Sequence, residues 1–490
     1  MIIKTYKGKY YNVEHSIVNV SELEGELRID AEYYEPYYIK LEKKIESLNY
    51  KFLNTLTLNE YKTFNPKTCK NFYYIAISNI DLLTGDYKIE KILCSETPSR
   101  AKKIVEKNDI LISTVRPNRN AVAFVFEIKE KPLVASTGFC KLKVISDLVL
   151  PTYLFSLFKT KYYRDILVRK TTATMYPAVS EEDIKNLKIP IPSNNFQKFI
   201  EKLVLRAYEE RKKAEELYKK AENILLEEIG LKKWKPKTKK IKIGEIEFEG
   251  EENISLRMLS EVLKVDRMDA EYWEPKYDEI EKLIKNYKNG YDYLPNLITI
   301  SKEKIKANKG KTYYYIELAD INPNLGVADQ TKAIKGEDLP SRARMKIKKG
   351  DIIMSSLKGS IDKIALIDFN KANLVASTGF FVFREKKINK ETLLILLKIL
   401  ANIYLVREAQ GTILTAIPYD SLIRVIIPKV DKQIQQKISQ LIQQSFKARE
   451  NAKELLEIAK RSVELYIEQD ENEGIHYAKN KVKELGVEIY

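Results

Sequence analysis

The sequence LVASTGF at residues 133–139 returns without a change at residues 374–380, a shift of 374 − 133 = 241. Seven identical residues in a row are hard to attribute to chance. Upstream, SIVNVSELEGELRIDAEYYEP at 16–36 returns as SLRMLSEVLKVDRMDAEYWEP at 255–275, a shift of 255 − 16 = 239. The nearly constant shift predicts two homologous halves of equal length instead of a solenoid of many repeats.

Short apolar runs lie inside each half and are bounded by Asn, Asp, Gly and Pro. The runs 73–77, 110–112 and 122–126 predict strands, and the tracts 153–167 and 392–405 predict helices. In the repeated Ser-Thr-Gly-Phe turn we expect the Phe side chains to enter the cores and the Gly residues to adopt positive φ. These residues are Phe139, Phe380, Gly138 and Gly379. Each half therefore predicts a compact mixed α/β domain.

A long helical pattern follows the Ile-Pro steps at 189–190 and 427–428. Its apolar residues follow a three-four spacing, with Glu210 the one exception. The seam residues are Ile200, Leu203, Ala207, Ala214, Leu217, Ala221 and Ile224, then Ile438, Leu441, Ser445, Ala448, Ala452, Leu455, Ala459 and Ser462. Small seam residues allow close helix packing, so antiparallel pairing within the chain is the simplest way to bury both seams. The alternative is that each helix packs only on its own domain.

The predicted fold class is therefore α+β: two homologous mixed α/β domains separated by two long helices that pair as an antiparallel coiled coil. The predicted boundaries are a first domain at 1–192, a central helix at 193–230, a linker at 231–254, a second domain at 255–430, a C-terminal helix at 431–470 and a tail at 471–490.

Charge favours a polyanionic partner. The chain has 85 Lys and Arg against 69 Asp and Glu, a net charge of +16. Heat-adapted proteins also carry such ion-paired surfaces, so charge only permits DNA binding.

The chain has no run of about 18 uncharged apolar residues, and its start lacks signal-peptide features, so we expect a cytoplasmic protein without membrane contact. Cysteine usage agrees with this expectation. Cys69, Cys94 and Cys140 lack CxxC spacing and the chain has two histidines, so we expect no bound metal.

Candidate DNA contacts follow predicted strand ends. The loop after 110–114 offers Arg forks and Asn amides, which suit guanine and adenine edges, while the matching loop of the second half differs. These candidates are Arg116, Asn118, Arg119 and Asn120, then Lys358, Ser360 and Lys363. Basic residues shared by both halves are candidates for phosphate contacts. They are Arg100, Lys102, Lys103, Arg342 and Arg344. Two small polar loops add Thr172 and Thr412. For each single residue, an ordinary surface or turn role remains the alternative.

No complete catalytic set occurs in both halves. Asp109 with Glu127-Ile128-Lys129 resembles a magnesium-dependent nuclease pattern, but the second copy keeps Asp351 and reads LIDF at 366–369. A chance match explains this better. The chain has no Asn/Asp-Pro-Pro-aromatic step and no glycine-rich nucleotide loop after a strand. We therefore expect no catalytic residue and no cofactor.

The order of these pieces, DAEYYEP and DAEYWEP, LVASTGF, the Ile-Pro step and the long helix, resembles the specificity (S) subunit of Type I restriction-modification systems. The resemblance implies two target-recognition domains that each read half of a split, asymmetric double-stranded DNA site, with paired helices as a ruler. It also implies two modification subunits that methylate adenine N6 with S-adenosylmethionine, and restriction subunits that translocate and cut. The PIP at 190–192, followed by NFQ at 195–197, departs from the Pro-Pro-Leu and Glu-Gln frequent in the family.

Two alternatives remain open from the sequence. One is a DNA nuclease with duplicated recognition domains, and the other is a coiled-coil scaffold with no DNA role. The sequences of the two half-sites and their spacer depend on loop geometry and cannot be read from this pattern.

Overall fold

The structure is a computed structural model that describes residues 28–58, 61–171, 176–236, 257–328, 331–411 and 415–489. It also describes short stretches at 5–7, 12–14, 16, 18–20, 23, 241–243, 246–248 and 255. Contacts divide the chain into a first unit, Met1–Lys212 with Ala448–Tyr490, and a second unit, Lys213–Lys447. Among the described residues, no helix is both long enough and apolar enough to span a membrane.

The strands are β1 Thr5–Lys7, β2 Asn12–Glu14, β3 Tyr50–Phe52, β4 Asn71–Ile75, β5 Glu90–Leu93, β6 Ala101–Ile104, β7 Ile110–Ser113, β8 Val122–Phe124, β9 Leu133–Ser136, β10 Phe139–Leu142, β11 Lys188–Pro190, β12 Ile241–Ile243, β13 Ile246–Phe248, β14 Tyr291–Tyr293, β15 Ile298–Ser301, β16 Thr312–Ile316, β17 Ile321–Asn322, β18 Val327–Ala328, β19 Lys332–Lys335, β20 Ala343–Lys346, β21 Ile352–Ser355, β22 Ile364–Leu366, β23 Leu374–Ser377, β24 Phe380–Glu385 and β25 Ile426–Pro428.

The helices are α1 Pro36–Glu46, α2 Leu53–Leu56, α3 Pro151–Lys159, α4 Lys161–Arg169, α5 Glu181–Lys185, α6 Asn194–Glu228, α7 Leu259–Val265, α8 Pro275–Lys285, α9 Leu294–Leu297, α10 Lys390–Ile403, α11 Lys432–Glu468 and α12 Glu471–Leu485. The predicted helix at 153–167 is two helices, because the Thr160 hydroxyl accepts a hydrogen bond from the Tyr163 amide and starts α4 anew.

The repeated LVAS forms the same inner strand in both units. In the first unit β9 lies in a four-stranded sheet of order β5-β4-β9-β6, and in the second β23 lies in a sheet of order β19-β16-β23-β20. The registers agree, since Tyr73 pairs with Leu133 and Tyr314 pairs with Leu374. All four residues of each strand are buried. The prediction of a mixed α/β fold in each half is confirmed.

A β-bulge interrupts the same place in both sheets. Its extra residue is Lys102 in β6 and Arg344 in β20, between the paired residues on either side. A bulge changes the direction of the strand side chains locally, and both extra residues are exposed.

The second sheet of each unit extends from the repeated turn. It has the order β10-β7-β8 in the first unit and β15-β24-β21-β22-β18-β17 in the second. Phe139 and Phe380 are buried as predicted. The predicted positive φ of the turn glycines is wrong, because neither has it. Close packing explains Gly138, where an added Cβ would lie 2.7 Å from Cδ1 of Ile77.

Within each unit the long helices α6 and α11 run antiparallel. In the first unit the Phe196 and Tyr466 rings lie 5.3 Å apart, and Asn451 contacts Glu210 at 3.5 Å. In the second unit the Ser445 hydroxyl donates to the Ala214 carbonyl oxygen at 2.6 Å. Glu210 breaks the apolar pattern, yet it is buried because Arg206 binds its carboxylate at 2.6 Å.

In each unit, the parts of α6 and α11 that belong to it also pack on the domain of that unit. The first-unit core joins residues 196–207 of α6 and residues 455–467 of α11 to α3, while the second-unit core joins Tyr218 and Leu225 to Ile438 and Ile442. The alternative that each helix packs only on its own domain is therefore wrong, because α6 and α11 also contact each other within each unit. The stretch predicted only as a tail holds α12, whose Gly474 packs against α11.

Two of the three cysteines form a disulfide, which the sequence analysis did not predict. Cys69 and Cys94 form a disulfide between the start of β4 and the end of β5, while the free Cys140 is buried. Burial raises the pKa of Cys140 to about 12, so its thiol stays protonated near neutrality. No group of three or more His, Cys, Asp or Glu among the described residues could hold a metal ion.

Candidate nucleic-acid interface

The loop after β7 projects three of its four candidate side chains. Arg116, Asn118 and Arg119 are exposed. Asn118 and Arg119 lie on the 3-10 turn Pro117–Arg119, which is flanked by Arg116 and Asn120, both with positive φ. The Arg116 guanidinium lies 5.7 Å from the ring of Tyr176, an exposed aromatic side chain that the sequence analysis did not single out. Guanidinium and aromatic groups together suit contact with bases and phosphates.

Asn120 contributes to the loop's own structure, and its role as a base reader stays a prediction. It has φ 53°, and its side-chain amide donates to the Lys159 carbonyl oxygen at 3.0 Å. The amide is therefore engaged in holding the turn.

The equivalent loop of the second unit presents one exposed cation. Lys358 is exposed and forms an ion pair with Glu271 at 2.6 Å. Ser360 instead shares a hydrogen bond with Ser355 at 3.0 Å, and the Lys363 ammonium donates to the Ile321 carbonyl oxygen at 3.1 Å. These bonds help to hold the loop, and the assignment of Ser360 and Lys363 as readers stays a prediction.

Each candidate reading loop is joined to the chain that follows the small polar loop of its unit. The Arg116 amide donates to the Pro177 carbonyl oxygen at 2.8 Å, and the Lys358 amide donates to the Thr415 carbonyl oxygen at 2.9 Å. Thr172 and Thr412 themselves lie outside the described residues. The reading loop of each unit thus lies beside the described residues that follow its polar loop, and no local sequence signal indicates this.

The shared basic residues divide into two groups. Arg100, Lys102, Arg342 and Arg344 are exposed. Lys103 is fully buried, and its ammonium donates to the Phe139 carbonyl oxygen at 2.6 Å and binds Glu181. This placement corrects the prediction of Lys103 as a phosphate contact. The residue in register with it in the second unit is the buried Met345.

We expect Lys103→Met to leave the salt dependence of DNA binding unchanged, because the ammonium is out of reach of DNA. Lys102→Ala should reduce the slope of log K against log salt by about 1, the value for one phosphate contact. Fluorescence anisotropy of a labelled duplex between low and moderate salt measures both. A reduced slope in Lys103→Met would contradict the burial of this side chain.

The nuclease-like residues do not form a metal site. Asp109 is buried, accepts from the Glu106 amide at 2.7 Å and binds Lys141 at 3.1 Å. Burial raises the pKa of Asp109 in spite of Lys141. Asp351 repeats the arrangement with the Lys348 amide and Arg384. A carboxylate that closes a turn in both copies has a structural role.

Comparison with known proteins gives one family. Residues 31–217 match the family described as "Type I restriction modification DNA specificity domain". A 142-residue stretch is 28% identical to the HindI specificity subunit of Haemophilus influenzae, covering 27% of this chain and 30% of that one. A 170-residue stretch is 29% identical to the MjaIX specificity subunit of Methanocaldococcus jannaschii, covering 35% of each chain.

The matched stretches thus cover about a third of each curated relative, 30% and 35%. Among solved structures, the HsdS subunit of Thermoanaerobacter tengcongensis aligns over 86% of this chain and 97% of its own at 18% identity, with a TM-score of 0.32.

Proposed function

We propose, from the match of residues 31–217 to the Type I restriction modification DNA specificity domain, that the chain reads a bipartite, asymmetric DNA site without catalysing a reaction. Each unit reads one half-site. Because its ligand in this proposal is DNA, we infer that the chain acts in the cytoplasm.

One observation carries this proposal: the same framework supports different loops. The four-stranded sheets of the two units share strand order, register and bulge, and the strands that carry the loops are paired in the same order, β10-β7-β8 and β24-β21-β22. The loops on that framework differ, with Arg116, Asn118 and Arg119 in one unit and Lys358 in the other. Shared cations beside the loops, such as Arg100 and Arg342, suit phosphate contacts that position the protein on any sequence.

The long helices provide the spacing and the partner contacts in this proposal. We infer that α6 and α11 pair along their length as an antiparallel coiled coil, which fixes the distance between target-recognition domains at 1–192 and 255–430. The antiparallel contacts within each unit support this. The partners are two modification subunits that methylate adenine and restriction subunits that translocate and cut.

Selection from a randomised duplex library tests the proposed function. The full chain should enrich two short fixed sequences separated by an unread spacer of constant length. Enrichment of one contiguous sequence, or of none with binding that depends only on salt, would contradict it.

We expect the isolated chain to have no cleavage activity, because Asp109 and Asp351 are engaged in turns. We expect no methyltransferase activity, because the sequence has no Asn/Asp-Pro-Pro-aromatic step and no glycine-rich nucleotide loop after a strand. The full chain is incubated with plasmid, Mg²⁺ and labelled S-adenosylmethionine. Nicked plasmid or labelled DNA above a no-protein control would favour the nuclease or another enzyme instead.

A further inference from the structure

The sequence Arg-x-Asp-Ala-Glu-Tyr occurs at residues 28–33 and again at 267–272, a shift of 267 − 28 = 239. We call each occurrence an Arg-Tyr box. Because the two boxes are the same except at the second residue, they cannot provide the different sequence preferences of the two units. The contacts of each box nevertheless lead to the candidate reading loop of its own unit.

In the first unit the Arg28 guanidinium binds both carboxylate oxygens of Asp30, at 2.6 and 2.9 Å. It lies 4.2 Å from the centre of the Tyr33 ring and donates to the Thr171 carbonyl oxygen at 3.2 Å. Arg169, the last residue of α4, lies 4.1 Å from the same ring and donates to the Tyr33 carbonyl oxygen at 2.7 Å. Two guanidinium groups thus hold one buried tyrosine and fix the end of α4.

The second unit repeats this arrangement. Arg267 binds both oxygens of Asp269 at 2.6 Å, lies 4.8 Å from the Tyr272 ring and donates to the Ala409 carbonyl oxygen at 3.1 Å. Arg407 lies 5.3 Å from the same ring. The bonded carbonyls are equivalent, since 409 − 171 = 238 and 407 − 169 = 238. A bond to a backbone carbonyl does not depend on which side chain stands there, so the same box serves two different loops.

The residues that follow the bonded carbonyl in the sequence lead to the candidate DNA contacts. In the second unit Gln410 and Ala416 are paired by backbone hydrogen bonds of 2.8 and 2.9 Å, and the Thr415 carbonyl oxygen accepts from the Lys358 amide. Glu271, inside the box, also binds the Lys358 ammonium at 2.6 Å. In the first unit Pro177, which follows the polar loop, accepts from the Arg116 amide. The box and the reading loop therefore hold the two ends of the same polar segment.

We propose that each Arg-Tyr box is a positioning device that fixes the reading loop of its own unit through the guanidinium bond to the Thr171 or Ala409 carbonyl. This inference rests on the proposed function. Arginine is required because its planar fork can bind a carboxylate and a carbonyl at once, whereas lysine offers a single point charge. The hydrogen bonds from Arg28 and Arg267 lower the pKa of Asp30 and Asp269, so both carboxylates stay ionised and keep the forks oriented.

The test uses full-length chains with Arg28→Lys or Arg267→Lys and duplexes taken from the wild-type selection. Three duplexes are compared: both half-sites intact, the first scrambled, and the second scrambled. We expect each variant to lose about tenfold of its discrimination at one half-site, the effect of one hydrogen bond to a charged group. Its discrimination at the other half-site should be unchanged. The two variants must affect different half-sites, so each serves as the matched control of the other.

A lower yield of active protein, with discrimination retained at both half-sites, would mean that the box only stabilises the fold. This result would overturn the positioning role. Equal loss at both half-sites in either variant would also overturn it. A wild-type chain that selects no bipartite sequence would instead refute the proposed function, and this result is obtained before any variant is made.

Discussion

Replacing Arg116, Asn118 and Arg119 together by Ala is expected to abolish base discrimination at one half-site and to leave the other half-site fully read. The three side chains are exposed, whereas Pro117 and Asn120 of the same loop are buried or bonded and are left unchanged to preserve the turn. A good bidentate contact between a side chain and a base contributes about 1–3 kcal/mol of discrimination. Two or more lost contacts should therefore reduce discrimination by about 100-fold or more.

The measurement is repeated selection from the randomised duplex library with the triple variant and the wild type. Lys358→Ala is the matched control, because it changes the equivalent loop of the second unit and should weaken the other half-site only. Loss at both half-sites, or unchanged selection by the triple variant, would show that this loop is not the reader. The effect differs from that of Lys102→Ala, which should weaken binding to all sequences alike.

The repeat made much of the fold predictable. LVASTGF and the Ile-Pro steps mark equivalent positions, so a strand found in one half predicts its counterpart in the other. The helical seams were recognisable from their spacing, and even Glu210 was visible as an exception. Its explanation, the bond from Arg206 one turn earlier, is a local contact that sequence spacing allows but does not require.

The features that the sequence analysis missed are tertiary contacts. Lys102 and Lys103 are adjacent in β6, the first exposed and the second buried, so which of them is buried depends on the face that the rest of the unit covers. The Cys69–Cys94 disulfide depends on the pairing of β4 with β5. No sequence signal predicts either feature, because each depends on which strands become neighbours.

The candidate interface was predicted as separate loops, and its assembly was not. The sequence placed basic residues after strand ends, which the structure retains for Arg116 and Lys358. It gave no reason to join these loops to the Arg-Tyr boxes, some 88 residues earlier in the first half (116 − 28) and 91 in the second (358 − 267). The repeated Arg28 and Arg267 were visible as a shared pair, but a shared residue does not reveal its contacts.

Removing one heptad from each long helix, residues 207–213 and 445–451, is expected to shorten the unread spacer by up to about three base pairs. A heptad of α-helix is about 10 Å long, and base pairs stack at about 3.4 Å. The deletion keeps both seams in phase, and it removes Glu210 together with its neighbour Asn451, so neither is left buried without the other. DNA bending can absorb part of the change, so three base pairs is an upper limit.

The readout is the spacer length found by selection, because stability will fall even when the pairing is preserved. The deletion also removes Tyr208, whose ring stacks on Phe126 at 4.3 Å, and Arg211, which binds Asp86 at 2.9 Å. Removing residues 207–213 alone is the matched control, since it shifts one seam against the other and should lower the melting temperature further. Both half-site sequences should stay the same in the double deletion, because neither reading loop changes. A folded double deletion that keeps the original spacer would show that paired helices do not set the distance between the half-sites.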